Sequence, residues 1–228
     1  MTSWQRGHVI AERRSRRPVR VAARRYELGK RALDVSLATV LLVVASPILL
    51  IVAVLVGVTS RGPVLFRQTR VGRAGAPFRM LKFRTMRHGC DDEAHRDYVR
   101  RLLAEEVEAK DGLYKLLDDP RITRVGAVLR RLSIDEMPQL LNVLKGDMTL
   151  VGPRPAMPFE AELFPDWATP RYQVAPGVTG LWQVSGRNRL TMLQGLKLDV
   201  AYVEQRSFVV DLIILLRTVP AVLGRGAR

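Results

Sequence analysis

The 228-residue chain carries 37 Lys and Arg against 22 Asp and Glu, which gives a formal charge of +15 and a pI near 11.0. That length fits one ordinary domain with a real core plus appendages, and the charge calls for an anionic partner: nucleic acid, an anionic membrane surface or phosphorylated substrates. A single cysteine, Cys90, excludes an intrachain disulfide, and with only three scattered histidines no Cys/His zinc site can be assembled.

Arg6, Arg13, Arg14, Arg16, Arg17, Arg20, Arg24, Arg25, Lys30 and Arg31 face only Glu12 and Glu27 in the first 31 positions. Residues 1–27 therefore read as a basic tail that is either flexible and solvated or spread on anionic lipids; a nucleic-acid arm is the third, weaker reading. More than half of the net charge sits in the first 31 residues. The six Phe, five Tyr and three Trp do not interleave with basic residues as a nucleic-acid stacking platform would. No nucleic-acid partner is expected.

From Val35 to Ser60 no charged residue occurs. A straight helix of that length would cross a bilayer, for which roughly 20 residues suffice. Two features favour a re-entrant helix over residues 28–60 instead. Ser46-Pro47 lies near the midpoint, where proline removes a backbone hydrogen bond and breaks or kinks a helix. Basic residues flank both ends, Arg24, Arg25, Lys30 and Arg31 before and Arg61, Arg67, Arg70 and Arg73 after, and positive residues prefer the cytoplasmic side. The segment is too long for a cleaved signal peptide and lacks a cleavage site.

Residues 61–225 form the remaining domain. Val64-Leu65-Phe66 and Phe78 to Phe83, separated by the Gly72–Pro77 turn, predict a β-hairpin. Residues 92–117 predict an amphipathic helix, Arg124–Arg131 a short helix and Ser133–Lys145 another. The closing stretch Asp199–Leu223, strongly apolar but interrupted by Asp211 and Arg217, reads as one interfacial helix in the headgroup plane.

The chemistry concentrates in Arg130-Arg131-Leu132-Ser133-Ile134-Asp135-Glu136-Met137-Pro138-Gln139, followed by Gly152-Pro153-Arg154-Pro155. Adjacent carboxylates diverge in a turn, so Asp135 and Glu136 can serve different partners, and Mg2+ held by one carboxylate and substrate phosphates is a natural arrangement. Nearby arginines would grip phosphate bidentately and favour an ionised, nucleophilic Asp135. A purely structural reading is equally open on spacing alone: Ser133-x-x-Glu136 is a capping box, Pro138 suits an early helical position, and Pro153-Arg154-Pro155 is a rigid turn.

The segment Arg130 to Pro155 resembles the signature of the bacterial sugar transferases, the monotopic polyprenyl-phosphate phosphoglycosyl transferases, in their short form. The similarity continues through Gly62-Pro63-Val64, Phe66-Arg67-Gln68, Lys82-Phe83-Arg84-Thr85-Met86, Pro176-Gly177-Val178-Thr179-Gly180-Leu181-Trp182-Gln183-Val184 and Gly186-Arg187. Arg61, Thr85 and Thr149 depart from the proline, serine and serine common in that family, and none touches the Asp-Glu pair. The resemblance implies an α+β, mostly helical fold: a re-entrant N-terminal membrane helix, a small β-hairpin and amphipathic interfacial helices around a cytoplasmic catalytic domain.

It further implies transfer of a sugar 1-phosphate from a UDP-sugar to polyprenyl (undecaprenyl) phosphate. UMP is released through a covalent aspartyl phosphosugar, in a first membrane step of exopolysaccharide, capsule or O-antigen type glycan assembly. Asp135 is then the nucleophile and an Mg2+ ligand, Glu136 its catalytic neighbour, and Lys82, Arg84, Arg130 and Arg154 the phosphate and nucleotide contacts. Ser46 and Pro47 match the membrane-helix break. The expected location is the cytoplasmic face of the bacterial inner membrane, with anionic lipids as partners and a homodimer allowed. A non-catalytic membrane adaptor is the alternative.

Overall fold

In a computed structural model the described residues are 20–87, 121–186 and 190–223. The predicted helix at 92–117, Cys90, most of the basic tail and Arg187 fall outside them. Helix α1 runs Arg20–Thr59, so it begins upstream of the expected start at 28. Ala22, Ala23, Arg24, Arg25, Glu27 and Leu28 are good helix formers, which explains the extension.

Helical backbone continues through Ser46-Pro47, so the interruption expected there leaves no unwound gap in α1. Proline has no amide hydrogen to offer the carbonyl of Val43, four residues earlier. The Ser46 hydroxyl donates to that carbonyl at 2.8 Å and replaces the lost bond.

One stripe of α1 packs on the rest of the molecule, with Asp34, Ala38, Val52 and Val56 buried and Leu37, Leu42 and Leu49 partly so. Its other face leaves Val40, Val43, Val44, Ile48, Leu50, Ile51, Val54 and Val58 exposed. Polar pins hold the packed stripe. Arg31 donates to the carbonyls of Val143 and Leu144. Asp34 accepts from the Thr149 hydroxyl and, at 3.1 Å, from the Leu150 amide.

The hairpin forms as expected, from β1 (Leu65–Val71) and β2 (Pro77–Phe83), antiparallel with Leu65 opposite Phe83 and Val71 opposite Pro77. Helix α2 (Arg124–Arg131) also matches. The expected helix Ser133–Lys145 is divided into a 3-10 turn, Ile134–Glu136, and α3, Gln139–Lys145, because Pro138, just ahead of α3, has no amide hydrogen to carry helical bonding across the junction. A second sheet, β3 (Thr149–Val151) parallel to β4 (Gly177–Thr179), was not expected. It depends on a close approach: a Cβ on Gly177 would stand 2.1 Å from the Gly152 nitrogen, so the Pro176-Gly177-Val178 motif is in part a packing device.

Helix α4 (Pro158–Leu163), a 3-10 stretch Asp166–Gln173 and short α5 (Leu181–Val184) follow. In place of one closing helix there are two, α6 (Met192–Gln205) and α7 (Phe208–Leu223). Ser207 breaks the run by acting as a cap, its side chain accepting from the Val210 amide and its carbonyl from Asp211. Only α7 keeps the interfacial character, exposing Phe208, Val209, Leu212, Ile213, Leu216 and Val219, whereas α6 buries Leu196, Asp199, Tyr202 and Val203. The main core joins Ala38, Met80, Leu140, Val143, Leu150, Val151, Tyr202 and Ile214, one or more from each of α1, β2, α3, β3, α6 and α7.

Helices α1 and α7 are tied together. The Tyr26 and Phe208 rings meet edge-on at 5.2 Å, and Asp211 accepts from Tyr26 and Lys30, each at 2.8 Å. The exposed apolar surfaces of the two helices are thereby anchored to each other and to the core. Contiguous apolar surface of this kind marks a membrane or partner contact.

Candidate active site

The Asp-Glu pair is presented by a backbone reversal. Thr123 caps α2 through its side chain, which accepts from Gly126, and α2 runs to Arg131. Ser133 then adopts φ 55° and ψ 18°, a left-handed conformation that costs a non-glycine residue about 1–2 kcal/mol. Its side chain makes no capping bond, so the capping-box reading of Ser133-x-x-Glu136 fails. The 3-10 turn that follows buries Asp135, while Glu136 stays partly accessible.

Strand β2 supplies the cation beside this turn. Lys82 Nζ lies 3.1 Å from Glu136 Oε1, with both side chains about a fifth exposed. Asn142 fixes β2 against α3: its side-chain carbonyl accepts from the Leu81 amide at 3.0 Å and its amide donates to the Arg79 carbonyl at 2.8 Å. The strand carrying Lys82 and the helix following the Asp-Glu turn are thus locked together.

Arg130, on the last turn of α2, donates from Nε to the Thr85 hydroxyl at 2.8 Å. Thr85 is buried, and its carbonyl accepts from the Thr123 amide at 3.0 Å. Gly126 permits this contact, since a Cβ there would lie 2.1 Å from the Thr85 oxygen. Lys82, Arg130, Asp135 and Glu136 are therefore gathered by one framework of β2, α2 and the 3-10 turn.

Arg84 is placed elsewhere than expected. Its buried guanidinium is committed to the end of α1 and the loop after it, donating to the Ser60 hydroxyl at 3.2 Å from Nε and at 2.8 Å from Nη2. Nη2 also reaches the Ser60 carbonyl at 2.7 Å and the Val56 carbonyl at 3.3 Å, and Nη1 takes the Pro63 carbonyl. With Nε, Nη1 and Nη2 all bonded to protein acceptors, Arg84 acts as a clamp on the end of α1.

Arg154 belongs to a second charged group behind the Gly152–Pro155 loop. Its guanidinium carbon stands 5.8 Å from the Trp182 ring centre, and Nη1 is 3.8 Å from Glu160 Oε2, which Arg70 also approaches at 3.5 Å. The Arg154 carbonyl accepts from Arg171, whose Nη2 pairs with Asp199 at 2.7 Å. Burial alone would lower the Arg171 pKa, but the adjacent Asp199 carboxylate reverses that and holds the guanidinium charged. Sequence reasoning missed this pair and Thr85. Asp199, an acid inside an otherwise apolar run, was the available signal.

Among the described residues no group of three or more His, Cys, Asp or Glu could hold a metal by protein ligands alone. Mg2+ commonly binds through one or two carboxylates plus substrate phosphates. Asp135 with Glu136 beside it is a donor set of that kind, so these residues fit the ion.

The sequence profile of a family described as bacterial sugar transferase matches residues 25–225. Among curated proteins, the chain is 42% identical to the exopolysaccharide production protein ExoY of Rhizobium meliloti, across 88% of each chain. It is 44% identical to the UDP-glucose:undecaprenyl-phosphate glucose-1-phosphate transferase of Caulobacter vibrioides, over 86% of this chain and 70% of that one. It is 38% identical to the undecaprenyl-phosphate galactose phosphotransferase of Salmonella typhimurium, over 90% of this chain and 42% of that one.

Proposed function

The chain belongs to the bacterial sugar transferase family and is a phosphoglycosyl transferase; from that premise we propose that it moves a sugar 1-phosphate from a UDP-sugar to undecaprenyl phosphate through a covalent intermediate on Asp135. The observation that carries this reading is the buried Asp135, held on a strained turn beside the Lys82–Glu136 pair with Arg130 fixed on the same framework. An Asx-containing turn serving only structure has no need of that strain or of two cations.

In the first step an Asp135 carboxylate oxygen attacks the sugar-bearing phosphorus. The bond from that phosphorus to the bridging oxygen breaks, and UMP departs with the oxygen and its electron pair. In the second, an oxygen of polyprenyl phosphate attacks the same phosphorus and displaces Asp135, giving a polyprenyl diphosphate sugar and the free carboxylate. Preplaced cations meet charge on the phosphoryl oxygens in both steps. Lys82 and Arg130 serve this role, and Arg154 meets the donor from the Gly152–Pro155 loop. Asp135, with Glu136 adjacent, would hold Mg2+, which would supply further neutralisation of the phosphates.

The exposed faces of α1 and α7 support seating in the membrane, and the two ends of α1 support a re-entrant, monotopic topology on the cytoplasmic face of the inner membrane. Arg31 and Asp34 near one end, and Val56 and Ser60 near the other, are all bonded to the same domain. A helix crossing some 30 Å of hydrocarbon would carry one of those ends to the far side. Anionic lipids suit the basic flanks.

The test is release of UMP and formation of lipid-linked sugar from a panel of UDP-sugars, beginning with UDP-glucose and UDP-galactose, by protein in nanodiscs with Mg2+ and undecaprenyl phosphate. Turnover of one donor that Asp135→Asn abolishes is the expected result. Equal turnover by that variant would remove the assigned reaction.

A further inference from the structure

Arg84 joins two parts of the molecule that the chemistry must keep in register. Its side chain closes the C-terminal end of α1, its acceptors being Val56 in the last turn and Ser60 and Pro63 just beyond it. The final carbonyls of a helix lack donors within the helix, and a guanidinium fork is suited to collecting several of them. Its backbone, meanwhile, extends the hairpin, the Arg84 amide donating to the Val64 carbonyl at 3.0 Å. Lys82, two residues back on the same strand, pairs with Glu136. Alternate residues of an extended chain stand roughly 7 Å apart on one face, so the end of the apolar helix and the Asp-Glu turn are connected by a single short, stiff segment.

The two substrates differ in what they require of that connection. A nucleotide sugar arrives from solution and finds the site at whatever depth the domain sits. The phosphate of a polyprenyl phosphate is confined to the bilayer surface. We propose that Arg84, clamped to Ser60, is a positioning residue that sets the height of Asp135 over the membrane surface, and that it serves the lipid-acceptor step and not the donor step. This rests on the two-step reading above.

The test separates the two steps. Ser60→Ala removes the hydroxyl that meets Nε and Nη2 while leaving the guanidinium in place, and Arg84→Lys removes the fork. Each is measured in nanodiscs for the burst of UMP without acceptor, and for turnover with undecaprenyl phosphate. Turnover is measured again with a short-chain, detergent-soluble polyprenyl phosphate in detergent solution. The proposal expects a burst within twofold of wild type, a turnover loss of about tenfold or more with the bilayer-bound acceptor, and recovery to within twofold of wild type with the soluble one. A burst that falls in step with turnover, or a loss of the same size with both acceptors, overturns it. Absence of any burst from the wild type would overturn the two-step reading and this proposal with it.

Discussion

Lys82 Nζ and Glu136 Oε1 stand 3.1 Å apart and bind the hairpin to the 3-10 turn that buries Asp135. The ammonium has protons to spare beyond this bond, so it can hold Glu136 and still face a phosphate. Lys82→Met is expected to cut turnover by about 100-fold, in the range seen when one preplaced donor to a developing charge is lost. Folding should be intact, because the pair is partly solvated and such pairs contribute little stability. Near-normal kcat with a raised KM would instead make Lys82 a ground-state binder.

Thr85→Ala removes the hydroxyl that receives Arg130 Nε. About a tenfold fall in kcat is expected, and Thr85→Ser, which keeps the hydroxyl, should restore activity. Equal activity of the alanine variant would show that Arg130 is oriented by its other surroundings.

Breaking the buried Arg171–Asp199 pair strands a charge in the interior. Asp199→Ala should lower stability by about 3–5 kcal/mol, read as a reduced melting temperature in detergent or nanodiscs. An unchanged melting temperature would contradict the pairing at 2.7 Å.

The re-entrant topology predicts that single cysteines replacing Arg25 and Arg61, in a Cys90→Ser background, are both labelled from the cytoplasmic side. Labelling of one only from the opposite side would establish a crossing helix.

Removal of divalent cations tests the ion. Excess EDTA should stop turnover and added Mg2+ should restore it, whereas activity that persists in EDTA would assign phosphate neutralisation to the side-chain cations Lys82, Arg130 and Arg154 without an ion.

What could be read from the sequence follows from how local each signal is. The hairpin is spelled out by two β-favouring runs around Gly72–Pro77, and α2 by the residue pattern of Arg124–Arg131. The Asp135-Glu136 pair stood out because its motif is contiguous. Arg84 did not declare its role, since a basic residue in a motif near a phosphate site looks the same whether it meets substrate or the distant Ser60. Strands β3 and β4 are three residues each and pair through a glycine contact between Gly152 and Gly177, far apart in sequence. The division of Ser133–Lys145 was hidden by a capping-box spacing that the fold does not use, since Ser133 is left-handed and its side chain makes no cap bond. The α6–α7 break was in principle legible: Ser207 precedes an apolar run and has the cap's chemistry.

The most direct test of the central claim is intact-mass spectrometry of the protein incubated with its UDP-sugar donor in the absence of lipid acceptor. The account predicts a mass gain of one sugar phosphate that maps to Asp135, is absent in Asp135→Asn, and disappears when undecaprenyl phosphate is added. UMP release that occurs only when acceptor is present, with no adduct on the protein at any time, would contradict it and require direct transfer between the two substrates.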